Sequence, residues 1–181
     1  MRVCVYCASS ESIDHSFVEL ATQVGTEIAA RGWDLVSGGG QVSMMGAVAR
    51  AVRAGGRHTV GVIPSDLMSR EVADAAADEL VVVENMRERK AQMDARADAF
   101  VALPGGIGTL EELLEVWTSR ALRQHDKPVV ILDATGTFAP LRSFVAGLAA
   151  AGFVRQSGLD AVTWTSTVTE ALDACVGQAR S

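Results

Sequence analysis

Short apolar runs alternate along the chain with longer stretches in which apolar positions recur every three or four residues. The first pattern reads as strand and the second as amphipathic helix. Together they predict strands near 2–8, 33–37, 58–63, 79–84, 98–103, 128–132 and 161–164, and helices near 14–31, 43–55, 85–97, 109–123, 138–150 and 166–178. Several of the strands are apolar throughout, Val81 to Val83 and Val129 to Leu132 among them, as strands covered on both faces are. Regular alternation of this kind is the mark of a parallel sheet with helices on both faces. With no repeat, linker or low-complexity tract, residues 1–181 read as one Rossmann-like, doubly wound α/β domain.

Composition narrows the class of function. The formal net charge is -6, which argues against a non-specific nucleic-acid or anionic-membrane binder. A local cationic site for a small anion stays compatible with it. No apolar run reaches the roughly 18–20 residues that cross a bilayer. The first residues lack the basic, apolar and cleavage regions of a signal peptide, and three cysteines suit a reducing compartment, so a cytoplasmic protein is expected. Cys4-Val5-Tyr6-Cys7 matches a CxxC spacing, but in a strand two side chains three apart face opposite ways. Buried, inert thiols are therefore expected.

In a sheet of this kind ligands bind beyond the carboxyl ends of the strands, where the strand order reverses. The segments at those ends include Ala8-Ser9-Ser10, Ser37 to Gly40, Glu84-Asn85 and Pro104 to Thr109. Pro104-Gly105-Gly106-Ile107-Gly108-Thr109 precedes a helix, so its backbone N–H groups can converge on a phosphate with help from the helix N-terminus. Thr109 is placed to cap that helix and to offer its hydroxyl to a phosphate oxygen. Glu112 has two readings. Thr109-Leu110-Glu111-Glu112 spells a capping box, yet Glu112 also lies off the apolar stripe and could face a bound sugar. Arg89 shares a helix face with Met86 and Met93, and either pairs at the surface with Glu88 or Asp94 or reaches a partly buried anion. Gly39 and Gly40, after the second strand, are candidates for a further wall of the same cleft.

Taken together these segments resemble the Lonely Guy (LOG) family of cytokinin riboside 5'-monophosphate phosphoribohydrolases. The pattern PGGxGTxxE stands at Pro104 to Glu112, and MxxRKxxM at Met86 to Met93. A glycine-rich GGGxxGxMG element stands at Gly38 to Gly46, with Ser43 where glycine is usual. Gly61 to Pro64 leading to Glu71, and His125 to Pro128, add further matches across nearly the whole chain. The resemblance implies a homodimer with sites near the subunit interface, no cofactor, and a nucleoside 5'-monophosphate as substrate. By position it implies Arg89 and Glu112 as the catalytic pair. Glu71, Lys90, Gly106, Ile107, Gly108, Thr109, Leu110, Glu111 and Thr118 fall at substrate contacts, and Gly105 joins the phosphate anchor.

The implied reaction is hydrolysis of the N-glycosidic bond of adenosine 5'-monophosphates, N6-modified or plain, to free base and ribose 5-phosphate. Alternatives are a nucleotide sensor or carrier that does not hydrolyse, an enzyme of wider monophosphate range, and a structural protein whose glycine loops are turns only. Chains of this pattern also carry the label lysine decarboxylase. That chemistry needs a lysine to hold pyridoxal phosphate as a Schiff base, and Lys90 and Lys127, the chain's two lysines, stand in no such context.

Overall fold

The computed structural model describes residues 1–68 and 72–177. Its strands are β1 (Arg2–Tyr6), β2 (Asp34–Ser37), β3 (Thr59–Pro64), β4 (Glu79–Val83), β5 (Ala99–Ala102), β6 (Val129–Leu132) and β7 (Thr163–Thr165). The helices are α1 (His15–Ala30), α2 (Ser43–Ala54), α3 (Met86–Arg96), α4 (Ile107–Ala121), α5 (Ala139–Ala150), α6 (Gln156–Leu159) and α7 (Val168–Ala174). The strands form one sheet in the order β4-β3-β2-β1-β5-β6-β7. Every pairing is parallel, with Val3 opposite Leu35 on one side and Ala99 on the other. The seven predicted strands and six predicted helices are all present. Two short elements escape the periodicity, a 3-10 turn at Ser65–Leu67 and α6, since one turn is too brief to show a period.

The pleat of β1 explains the layering. Val3, Val5 and Cys7 join one buried layer with Leu20, Val24 and Ile28 of α1, Val48 of α2 and Leu172 of α7. Cys4 and Tyr6 turn the other way, into a layer with Met93 of α3 and Leu113, Val116 and Trp117 of α4. The two thiols of the CxxC spacing diverge as expected, and Cys4, Cys7 and Cys175 are all free and buried. Each fully buried side chain of the size of Leu35 or Ile131 contributes about 1.5–3 kcal/mol.

The path of the chain through the sheet locates the functional end. From β1 it steps outward through β2 and β3 to β4, then returns by α3 to β5 on the other side of β1. The order therefore reverses between β1 and β5. Their carboxyl ends lead into Cys7–Ser10 and Leu103–Gly106, and a crevice opens between these two exits. After the 3-10 turn, residues 72–78 form a strap along the edge of this end. The strap pairs with the loop after β2 through Asp74 N–H to Gly39 O at 2.8 Å and Gln41 N–H to Val72 O at 2.9 Å. Asp74 is itself buried and takes Arg53 Nη1 at 2.8 Å and Nη2 at 3.3 Å.

Ser43 opens α2 with φ of 51°, in the left-handed region that favours glycine. Its hydroxyl donates to the Ser10 carbonyl at 2.6 Å and so ties α2 to the exit of β1. Strain and hydrogen bond oppose one another at one residue. Ser43→Ala removes the bond and keeps the strain, whereas Ser43→Gly removes both. Urea unfolding is expected to rank Ser43→Gly above Ser43→Ala by about 1 kcal/mol, the cost of a non-glycine residue in that region. Equal midpoints would show that the backbone there carries no strain.

Candidate active site

The crevice between β1 and β5 has a volume of about 200 Å³. Its floor and walls come from three sources: the exit of β1 (Cys7 to Ser10), the start of α4 (Gly106, Gly108, Thr109, Glu112), and Arg89 with Met86 from α3. Met45 and Leu67 add an apolar rim. Of the residues singled out in the sequence, Arg89, Gly106, Gly108, Thr109 and Glu112 meet here.

Arg89 is 3% exposed, which removes the reading of a surface pair with Glu88 or Asp94. α3 starts one turn earlier, where Asn85 accepts from Glu88 N–H at 3.0 Å and so sets the register of the helix. From that register Arg89 reaches across the ends of β2 and β3. Its Nε donates to Val62 O at 3.1 Å and its Nη2 to Gly38 O at 2.8 Å. Gly38 is what admits it, because a Cβ at that position would stand 2.0 Å from Arg89 Nη2.

The start of α4 differs from the sequence expectation. The helix begins at Ile107 with Gly106 as N-cap, so Thr109 is the third helical residue and not the cap. The capping box over Thr109 to Glu112 is absent, and Glu112 sits inside the helix. The physical reason lies in Gly105 and Gly106, whose freedom lets the chain turn into the helix two residues early. Thr109 is buried and folds its hydroxyl back over Gly105, where a Cβ would lie 2.1 Å from Thr109 Oγ1. No side chain accepts from the first-turn N–H groups of α4. Those donors, at the positive end of the helix dipole, face the crevice as an anion cradle.

Glu112 is half-buried and stands between two spaces. One is the crevice, and the other is a polar cavity of about 200 Å³ lined by Tyr6, Lys90, Asp94 and Glu115. Burial first, then the Glu112 charge, pushes the Cys7 thiol well above its ordinary value. Burial, with Cys4 and Glu112 after it, does the same to the Tyr6 phenol. Both are therefore neutral walls, and Cys7 has no thiolate character to offer as a nucleophile.

The remaining expected contacts lie elsewhere. Lys90 Nζ is held by the carboxylates of Glu111 and Glu115, both on α4. Leu110 packs on the buried layer beneath the sheet, and Ile107 is exposed at the helix start. Thr118 faces a separate apolar trough along α4, α5 and α6. Gly39 and Gly40 lie buried behind the crevice, Gly39 against Val62 and Ile63, and neither lines it. Glu71 lies outside the described residues. The wall formed by Cys7 to Ser10 is a functional surface that no residue type advertised. Its position after the first strand, beside the point of reversal, was the available signal.

The chain was compared with known families and structures. A family profile described as possible lysine decarboxylase matches residues 45–175. A cytokinin riboside 5'-monophosphate phosphoribohydrolase of Mycobacterium marinum is 52% identical over 96% of this chain and 92% of its own. Its namesake in Mycobacterium tuberculosis is 51% identical over the same shares, and one in Arabidopsis thaliana is 43% identical over 93% and 79%. Among solved structures, the molybdenum cofactor carrier protein of Chlamydomonas reinhardtii superposes with a TM-score of 0.73 at 23% identity, over 96% of this chain and 94% of that one. At that identity the likeness concerns the fold alone.

The fit of Arg89 against Gly38 can be tested without a substrate. Gly38→Ala is expected to displace the guanidinium from both carbonyls and to lower stability by about 2–4 kcal/mol in urea unfolding, since a buried charge would lose its acceptors. An unchanged midpoint would mean that the side chain can move aside at no cost.

Proposed function

Since the chain belongs to the family of the cytokinin riboside 5'-monophosphate phosphoribohydrolases, we propose that it hydrolyses the N-glycosidic bond of adenosine 5'-monophosphates bearing an apolar N6 substituent. The products are the free base and ribose 5-phosphate. The observation that carries this reading is the meeting of Arg89 and Glu112 with the N-terminus of α4 in one crevice. A helix start without a side-chain cap supplies an anchor for the 5'-phosphate. Glu112, one and a half turns further along the same helix, then lies beside the ribose.

The bond between the anomeric carbon and the base breaks with its electron pair leaving on the base, so positive charge grows on the sugar. Glu112 stabilises that charge and takes a proton from the water that attacks the anomeric carbon. Arg89, fixed by two carbonyls, holds Glu112 ionised and positions the ribose. A volume of about 200 Å³ suits the sugar and phosphate, and leaves the base directed to the rim of Met45, Leu67 and Met86. Those side chains favour an apolar group on the base over the bare amine of AMP. The alternative chemistry suggested by the profile's description finds no support in the site. Lys90 is held by two carboxylates, Lys127 by Asp94 at 2.7 Å, and neither lines the crevice, so no lysine there fits a Schiff base.

The protein acts as a homodimer in this reading. α4, α5 and α6 form a trough of about 580 Å³ lined mostly by apolar side chains, with Leu122 and Phe153 on its edge 65% and 81% exposed. An apolar surface of that extent is a natural subunit contact. Thr118 lies in it, so a substrate contact by Thr118 would be made to the second protomer's site. Among the described residues no helix is long and apolar enough to cross a membrane. Three free, buried thiols suit a cytoplasmic location.

Purified protein incubated with N6-isopentenyl-AMP, AMP and the two matching nucleosides is expected to release base from the monophosphates alone, faster from the prenylated one. Glu112→Gln and Arg89→Ala should each lose about 10²–10⁴-fold in kcat. Equal turnover of nucleoside and monophosphate would remove the phosphate anchor from the account. Tight nucleotide binding without product would favour a carrier. For the dimer, Phe153→Asp with Leu122→Asp is expected to halve the mass seen by sedimentation, and an unchanged mass would place the contact elsewhere.

A further inference from the structure

α3 and α4 carry the proposed catalytic pair, and each places a charged neighbour directly beside it. Lys90 follows Arg89, and Glu111 precedes Glu112. One residue along a helix is a rotation of about 100°. Arg89 and Glu112 thus turn toward the crevice, while Lys90 and Glu111 turn together to the other side of the α3–α4 seam. There Lys90 Nζ sits between the carboxylates of Glu111 and Glu115, which are four residues apart on one face of α4. The lysine side chain is 15% exposed, against 49% for each acid, so the ammonium is the sheltered member of the group.

Resting on the function proposed above, we infer that Lys90 is a positioning residue: with Glu111 and Glu115 it clamps α3 to α4 and thereby sets the spacing of Arg89 and Glu112. It does not touch the substrate. Three observations carry this. Lys90 is absent from the lining of the crevice and instead lines the polar cavity on the far side of Glu112. Its ammonium is already engaged by two carboxylates, which leaves little positive field for a phosphate. Burial acts against that ammonium, yet the bonds and charges of Glu111 and Glu115 outweigh it and raise its pKa. The chain's other lysine acts in the same way at the far end of α3, where Lys127 Nζ donates to Asp94 O at 2.6 Å and Oδ1 at 2.7 Å. Both lysines therefore fix one helix, the one that delivers Arg89.

Reversal of charge distinguishes a clamp from a substrate contact. Lys90→Glu sets three carboxylates together and is expected to lower kcat by about thirtyfold or more, with KM for the monophosphate changed by less than about threefold. Adding Glu111→Lys to it restores opposite charges and is expected to bring kcat back to within about fivefold of the parent. A phosphate contact predicts otherwise, namely a raised KM in Lys90→Met and no rescue by the second substitution. Either result overturns the clamp.

The single and paired variants Lys90→Met and Glu111→Gln are also compared by urea unfolding, which needs no turnover. Non-additive losses support the tie between the helices, and strictly additive ones overturn it. Should the parent protein release no base from any monophosphate, the proposed function falls, while the unfolding cycle still decides whether Lys90 joins the two helices.

Discussion

The organising constraint is a guanidinium held inside the protein by main-chain carbonyls. Arg89 crosses the carboxyl ends of two adjacent strands and donates to one carbonyl at each, Val62 O and Gly38 O. Desolvating such a charge costs several kcal/mol, and the acceptors must be in place when it arrives. That demand reaches outward in sequence. Position 38 cannot carry a side chain, the loop after β2 must be held still, and α3 must start where Asn85 starts it. The strap of residues 72–78, pinned by Asp74 and Arg53, supplies the stillness, because it bonds the neighbouring Gly39 rather than the ligand. What looks from sequence like a glycine-rich ligand loop is in large part the seating of an arginine.

A fixed cation is useful for what it spares. The site does not have to reorganise dipoles as charge develops, since Arg89 and the first turn of α4 are already aimed into the crevice. The two work on different parts of a bound molecule. The N–H groups of the helix act on a phosphate at one end, and Arg89 with Glu112 acts near the sugar. Binding of the remote phosphate then holds the reacting carbon in place. The neutral thiol of Cys7 and the apolar methionines keep the surroundings low in dielectric, where such interactions are stronger than in water.

Much of this was legible in the order of residues because it rests on local rules. Period and run length place each of the larger elements, and the pleat separates Cys4 from Cys7 without any knowledge of the partners. Recognition of a short pattern brings Arg89 and Glu112 forward, but their physics was ambiguous in sequence. Arg89 could pair at the surface until Gly38, 51 residues away, is seen to make room for it. The frame of α4 misled for a related reason. Gly106 and Thr109 are both acceptable caps, and only the fold of Thr109 over Gly105 selects between them. Lys90 read as a substrate contact because its partners lie on another helix, 21 and 25 positions on, and charge pairing at that distance leaves no periodic trace.

A parallel sheet with a crevice at its point of reversal serves enzymes and carriers alike, so the architecture cannot decide between them. The side chains around the crevice can. A carrier gains from uniform grip on its ligand, and a cradle of N–H groups with an apolar rim would suffice for that. Nothing in such a task calls for a carboxylate beside the sugar with a buried cation close by, since Glu112 repels an anionic ligand and lowers its affinity. The arrangement makes sense only where positive charge appears on the ligand in passing. A glycosidic bond in the act of breaking creates that charge at the anomeric carbon, and Glu112 answers it there. The part of the site that is unfavourable for holding a nucleotide is therefore the part that argues most directly for cleaving one.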